Sequence, residues 1–208
     1  SKLEGKTFRV RTMKTFKSFT IIAFVVFVLD QWSKFWAIGN LTKAFQGTNG
    51  QLLDFGAQLD KFLWYKHPPR SAAIEVLENF WSMRYVENPG AAWGFLASSD
   101  AAWRTPFFLG VALIAMVFII YLYKTAEADQ LFYRIALALV FGGAWGNFID
   151  RVRLGYVIDF IDWHYYEHRW PTFNIADAAI TIGAVLMIAD IFLYKKTEQT
   201  EEVSASAS

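Results

Sequence analysis

Two aspartates stand beside long apolar stretches, in the runs Val157-Ile158-Asp159-Phe160 and Phe173-Asn174-Ile175-Ala176-Asp177. An ionisable side chain next to a segment long enough to cross a bilayer is costly, and it faces a polar cavity, a partner or a site. Two carboxylates brought together there suit acid/base chemistry, one accepting a proton while the other donates one. Each also has an ordinary explanation when read alone. Asn174 can cap a helix with Asp177 at its third position, where the helix dipole favours an acid in any protein. Asp159 can be a loop acid paired with Arg151 or Arg153.

The elements that must position these acids follow from composition. Of 208 residues, 55% are hydrophobic and 18% aromatic, more apolar surface than an ordinary soluble domain of this length needs. Four apolar spans run from about Ser18 to Ala37, Pro106 to Tyr123, Leu131 to Ile149 and Ile175 to Tyr194. Each is close to the roughly 20 residues that cross a hydrocarbon core. The expected fold is therefore an α-helical membrane protein with four transmembrane helices. An even number of crossings puts both termini on one side, and the basic leader Lys2, Lys6, Arg9, Arg11, Lys14, Lys17 marks that side as cytoplasmic. Arg151, Arg153 and Arg169 then fall outside against the charge rule, which suits residues held by function or by carboxylates.

Residues 1–17 read as a basic cytoplasmic leader, 18–196 as the membrane domain and 197–208 as a disordered tail. Within the leader, residues 1–12 read as an extension ahead of Met13. Two stretches face outward. The longer, 39–104, is polar at first and ends in Phe80-Trp81-Ser82-Met83-Arg84-Tyr85-Val86-Glu87 before the turn Asn88-Pro89-Gly90, which predicts a small β-rich extracytoplasmic cap between helices one and two. The shorter, 150–174, is dense in aromatic residues and is expected to lie as a loop at headgroup level.

Other chemistries find little support. A net charge of +1 without a basic, aromatic-interleaved face argues against nucleic acid as a partner. The absence of cysteine removes thiol nucleophiles and thiolate metal sites. His164 and His168, four apart and near Asp159 and Asp162, raise a metal site, but that spacing is weak and neither a metal nor another cofactor is expected. Gly142, Gly143 and Gly146 suit close helix packing. Asp30 and Lys34, also four apart, suit an ion pair near the outer interface, with a folding role or with Lys34 reaching toward lipid headgroups.

The motifs Asp30-Gln31-Trp32-Ser33-Lys34, Asn88-Pro89-Gly90-Ala91-Ala92-Trp93, Gly143-Ala144-Trp145-Gly146-Asn147-Phe148-Ile149-Asp150-Arg151, Gly155-Tyr156-Val157-Ile158-Asp159-Phe160 and Phe173-Asn174-Ile175-Ala176-Asp177 together resemble bacterial prolipoprotein signal peptidase, signal peptidase II. They occur in that family's order from Asp30 to about Gly183. The resemblance implies an intramembrane aspartic endopeptidase of the bacterial inner membrane, with Asp159 and Asp177 as its catalytic pair near the outer face. Its substrates would be prolipoproteins carrying diacylglyceryl on a cysteine, cut on the N-terminal side of that cysteine, with membrane lipid as the other partner; a monomer is expected. Asn88, Asn147, Asp150, Arg151 and Asn174 match the family's polar positions, where donors can hold a substrate backbone and a developing oxyanion. Their alternatives are turn formation for Asn88 and Asn174, and an Asp150/Arg151 pair that merely ends helix three. The chain departs from the family in a longer polar stretch before Asn88 and in Pro89 and Gly94, where a hydroxyl residue is expected. Competing readings are a proton-coupled carrier, disfavoured by the lack of an internal repeat, and an inactive lipoprotein-binding factor, disfavoured by the intact acids.

Overall fold

Apolar helices dominate the chain. A computed structural model describes residues 2–90, 101–127 and 130–206, with side chains over 16–90, 102–127 and 130–190. Among these residues the order is α1 (Lys2–Leu41), α2 (Phe55–Trp64), β1 (Ile74–Leu77), β2 (Trp81–Asn88), α3 (Ala101–Thr125), α4 (Leu131–Leu154), β3 (Val157–Tyr165), β4 (His168–Arg169) and α5 (Ile175–Ser206). Three stretches are long and apolar enough to cross a bilayer: Phe16–Leu41, Ala102–Thr125 and Leu131–Leu154. The fourth expected span falls on α5, whose side chains are described only to residue 190. The side chains of residues 1–15, most of the leader, and the tail 197–208 lie outside the described side chains, as do Ala91, Ala92, Trp93 and Gly94.

Helix α4 is the centre of the bundle and packs against α1, α3 and α5. Small residues let the backbones meet. A Cβ on Gly142 would come 2.6 Å from the Ala23 carbonyl of α1, and one on Gly143 would come 2.5 Å from the Ala176 carbonyl of α5. Such approach replaces the hydrophobic drive that helices lack in lipid with close dispersion contact. Helix α3 instead turns Val111, Ile114, Val117, Phe118 and Tyr121 outward. In water that surface would favour aggregation, whereas lipid tails solvate it.

The sheet is antiparallel throughout, in the order β1-β2-β3-β4. It corrects the expected cap in one respect: only β1 and β2 come from the stretch between the first two crossing helices, and β3 and β4 come from 150–174, read above as a loop. Val157–Ile158–Asp159–Phe160–Ile161–Asp162 is buried at every position, so neither the alternation of a half-exposed strand nor loop polarity is present. The β-branched and aromatic content of that run is the signal that could have found it. The third apolar helix also runs five residues past Ile149, to Leu154, where Gly155 adopts φ 86° and its N–H bonds back to the Arg151 carbonyl. That left-handed turn, natural to glycine, ends the helix and aims the chain into β3.

A second difference lies in the polar stretch after α1. Asp54 caps α2 by accepting a 3.0 Å hydrogen bond from the Ala57 N–H. Phe55, Leu59, Phe62 and Leu63 then recur at helical spacing, a pattern masked by the polar residues around it. Phe62 is buried with Phe45, Ile38, Leu41, Tyr156 and Phe160, and this cluster ties α2 and the sheet to the C-terminal end of α1.

Candidate active site

Strand β3 leaves α4 and carries Asp159 back past the start of α5, where Asp177 lies in the first turn. Asn174 joins them. Its Oδ1 accepts from the Asp177 N–H at 2.9 Å while its own N–H donates to Asp177 Oδ2 at 3.3 Å, a reciprocal cap of the helix start. Its Nδ2 donates to Asp159 Oδ1 at 2.7 Å. One fully buried asparagine therefore caps α5 and holds both carboxylates, so the capping and site readings of Asn174 and Asp177 describe the same geometry.

Two more amides complete the arrangement. Asn88, at the end of β2, donates from Nδ2 to Asp159 Oδ2 at 3.0 Å, while its Oδ1 accepts from the Gly90 N–H at 3.1 Å. Pairing of Val86 with Asp159 and Asn88 with Val157 sets this register. From α4, Asn147 donates from Nδ2 to Asp177 Oδ1 at 2.7 Å. Arg151, one turn on, donates to the Gly90 carbonyl at 2.8 Å and lies over the Phe108 ring. Its guanidinium also lies within electrostatic reach of both carboxylates.

Burial, and then the charge of Asp177, push the Asp159 carboxyl up to about 8. Both causes favour the protonated form of Asp159. Desolvation and a like charge act in the same direction, and the hydrogen bonds from Asn88 and Asn174 offset them only in part. Asp177 lines a cavity of about 590 Å³ together with Asn88, Asn147, Arg151, Val157, Trp163, Trp170, Phe173 and Thr181. The cavity runs from the sheet down one face of α5, with Asn88, Asn147 and Arg151 beside Asp177, a shape suited to a largely apolar ligand with one reacting polar point.

Asp150, like Asp159 and Asn174, is not among the residues lining the cavity, but unlike them it makes no hydrogen bond to the other site carboxylates or to the site asparagines. It is fully buried on α4 and pairs with Lys34 at 2.9 Å and Arg153 at 2.7 Å, while accepting from the Ile158 N–H at 3.2 Å. Arg153 therefore serves Asp150 and the Phe62 carbonyl, and does not contact Asp159. The reading of Lys34 as a headgroup contact is also corrected. Its ammonium is enclosed between Asp30 at 2.7 Å, Asp150 and the Asn147 Oδ1 at 3.1 Å, because the second carboxylate, on α4, draws it into the bundle. Asp30 in turn accepts from the Ala176 N–H at 3.0 Å, fastening α5 to α1.

This network orients the site. With Lys34 donating to its oxygen, Asn147 can present only its NH₂ to Asp177. Gln31, not singled out in the sequence, belongs to the same network, donating to Asp150 at 3.2 Å and accepting from Arg153 at 3.2 Å. Its place beside Asp30 in the first motif was the available signal. Lys34→Met should leave two buried carboxylates short of a cation and lower stability by about 3–5 kcal/mol, the usual result of removing one partner from a buried ion pair. Denaturation of the detergent-solubilised variant measures this; an unchanged midpoint would count against the network's structural weight. His164 and His168 sit on facing strands of the β3–β4 hairpin, His164 opposite Arg169 and His168 opposite Tyr165.

A family model described as signal peptidase (SPase) II matches residues 22–193. The lipoprotein signal peptidase of Anaeromyxobacter sp. (strain Fw109-5) is 43% identical over 183 residues, 84% of this chain and 86% of that protein. That of Alteromonas mediterranea is 36% identical over 192 residues, 91% of this chain and 90% of its own length. A solved bacterial membrane enzyme aligns at a TM-score of 0.62 and 33% identity, covering 88% of this chain and 91% of that one.

Proposed function

The chain belongs to the signal peptidase II family, and from that premise we propose that it acts as an aspartic endopeptidase with Asp159 and Asp177 as its catalytic pair. As a member of that family it is a bacterial membrane protease that removes signal peptides from prolipoproteins. The observation that carries the aspartic reading is Asn174, which caps one carboxylate and donates to the other.

The chemistry follows from one shared proton. Asp177, on the cavity wall, takes a proton from water as the water oxygen attacks the scissile carbonyl, and Asp159 gives its proton to the carbonyl oxygen. The diol that results collapses: Asp177 passes its proton to the leaving nitrogen, the C–N bond breaks, and Asp159 recovers a proton from a diol hydroxyl. Asn88 and Asn174 hold Asp159, Asn147 holds Asp177, and Arg151 faces the cavity with donors for a substrate carbonyl. Asp150, Asp30 and Lys34 position Asn147 from behind. The substrate is a prolipoprotein carrying diacylglyceryl on its cysteine, cut on the N-terminal side of that residue. The enzyme is a monomer crossing the inner membrane four times, α5 being the fourth crossing, with both termini cytoplasmic and the site near the outer face. Neither a carrier nor an inactive binding factor is favoured, since family membership and both acids point to hydrolysis.

The direct test is purified protein in detergent with a diacylglyceryl-modified precursor, which should shift to mature size. Strong chelators should leave the rate unchanged, because two carboxyl groups suffice for the proton transfers. A loss of rate that added metal restores would instead bring His164 and His168 into the mechanism.

The rate should also fall as pH rises through about 8, where Asp159 loses its proton and the pair becomes doubly charged. Stability has the same sign. A carboxyl whose folded pKa is raised disfavours the folded state as pH climbs from its ordinary value of 3.8 toward about 8, so Asp159→Asn should flatten the stability profile across that range. Rate and melting profiles between pH 5 and 10 check both; an alkaline limb unmoved by Asp159→Glu would assign it to another group.

A further inference from the structure

We propose that the sheet edge beside the cavity binds the phosphate of an anionic phospholipid headgroup through Arg84 and Arg169. Both guanidiniums converge on a single carboxylate, Asp162, which is fully buried: Arg84 Nε lies 3.1 Å from Asp162 Oδ2 and Arg169 Nη1 contacts the same oxygen. Ser82 adds a 3.1 Å hydrogen bond to that oxygen. The cluster carries two positive charges against one negative. Asp162 holds the two forks side by side, yet their side chains remain 42% and 51% exposed. Two adjacent planar donor sets left partly open match the oxygens of a phosphate monoanion, which one carboxylate does not saturate.

Location decides which anion. Arg84 Nη2 donates to Thr172 Oγ1 at 3.0 Å, and Thr172 lines the cavity, as does Trp170, the neighbour of Arg169. Trp163, Tyr165, Tyr166 and Trp170 are all exposed on the same hairpin edge. Large amphipathic aromatics on the outside of a membrane protein mark headgroup depth. The pair of arginines therefore sits among exposed aromatics beside the cavity, the setting in which headgroup phosphates lie. A bound headgroup there would hold the sheet edge to the bilayer surface beside the entry for substrate. Its effect on cleavage rests on reading the cavity as the substrate site; the binding itself does not.

Calorimetric titration of the full chain in a neutral detergent separates these ideas without requiring catalysis. Short-chain phosphatidylglycerol should bind saturably, short-chain phosphatidylcholine more weakly, and inorganic phosphate at the same concentrations not measurably. Arg169→Gln should weaken phosphatidylglycerol by about tenfold or more, the scale of a lost charge-assisted hydrogen bond. Because removing both arginines strands a buried carboxylate, the second variant combines Arg84→Gln, Asp162→Asn and Arg169→Gln, and should abolish binding with its circular dichroism unchanged. Equal binding by that triple variant overturns the proposal, as does equal affinity for inorganic phosphate, which would make this a free-anion site. Tighter binding of precursors with acidic residues after the cysteine, without any response to phosphatidylglycerol, would reassign the arginines to the peptide. Asp159→Asn should titrate like the parent, so loss of cleavage and loss of lipid binding are scored separately.

Discussion

Asp159→Asn and Asp177→Asn should each lower the cleavage rate by about 10⁴-fold or more while the protein still inserts and accumulates. Two proton transfers are coupled through the pair, and general acid and general base catalysis are each worth about 10²–10⁴. Both substitutions set an NH₂ against existing donors. Asn at 177 keeps an oxygen that can accept from the Asn174 N–H, so the start of α5 should survive, but its NH₂ then faces the Asn147 NH₂. Asn at 159 brings its NH₂ toward Asn88 or Asn174, both of which already donate there, and one donor pair must turn away. Single-turnover cleavage of a lipidated precursor, with expression and melting as controls, measures the effect. Near-normal turnover by either variant would remove that residue from the proposed catalytic pair, leaving Asp177 its part in the start of α5 and Asp159 its hydrogen bonds to Asn88 and Asn174.

A precursor with its cysteine unmodified should be cut at least about a hundredfold more slowly than the lipidated form of the same peptide. The cavity beside Asp177 continues along Ala178, Thr181 and Ile182 of α5, a path along which apolar substrate can lie. Burial of acyl methylenes contributes about 0.8 kcal/mol each, so four of them held more deeply in the transition state give about 3 kcal/mol, a factor of a hundred or more. On the proposed function the lipid also fixes depth, holding the scissile bond level with the proposed carboxylate pair, of which Asp177 lies in the first turn of α5. Matched rates for the two precursors in the same detergent would leave a general membrane peptidase as the better description. Deletion within 47–60 should affect rate more than this preference, since it removes the Asp54 cap of α2 and loosens the cluster around Phe62, which meets the cavity wall only through Phe173 packed against it.

Much of this was legible in one dimension. Apolar spans of bilayer length mark α1, α3 and α4 because lipid requires every backbone donor to be satisfied within the helix, leaving few alternatives for such a run. Asp159 and Asp177 stood out for the same reason, since charge beside such spans is rarely idle. Local chemistry also identified Asn174 as a cap, because capping involves only residues three apart.

What lay beyond the sequence depended on partners distant along it. Val157–Tyr165 became a strand because β2, some 75 residues earlier, offered it an edge, and burial on both faces erased the alternation by which strands are recognised. Lys34 could be paired with Asp30 from spacing, but its turn into the bundle required Asp150 from α4, and that in turn orients Asn147 toward Asp177. Asp150 and Arg151 are neighbours in sequence, yet one helix step of about 100° separates a buried ionic anchor from a cavity wall. Types of residue and their local spacing determined by themselves that this chain would carry two acids at the edge of apolar helices. Only the tertiary structure decided which amides meet those acids and which charges stay behind them, because electrostatic and hydrogen-bond energies depend on distances between elements that the linear order does not contain.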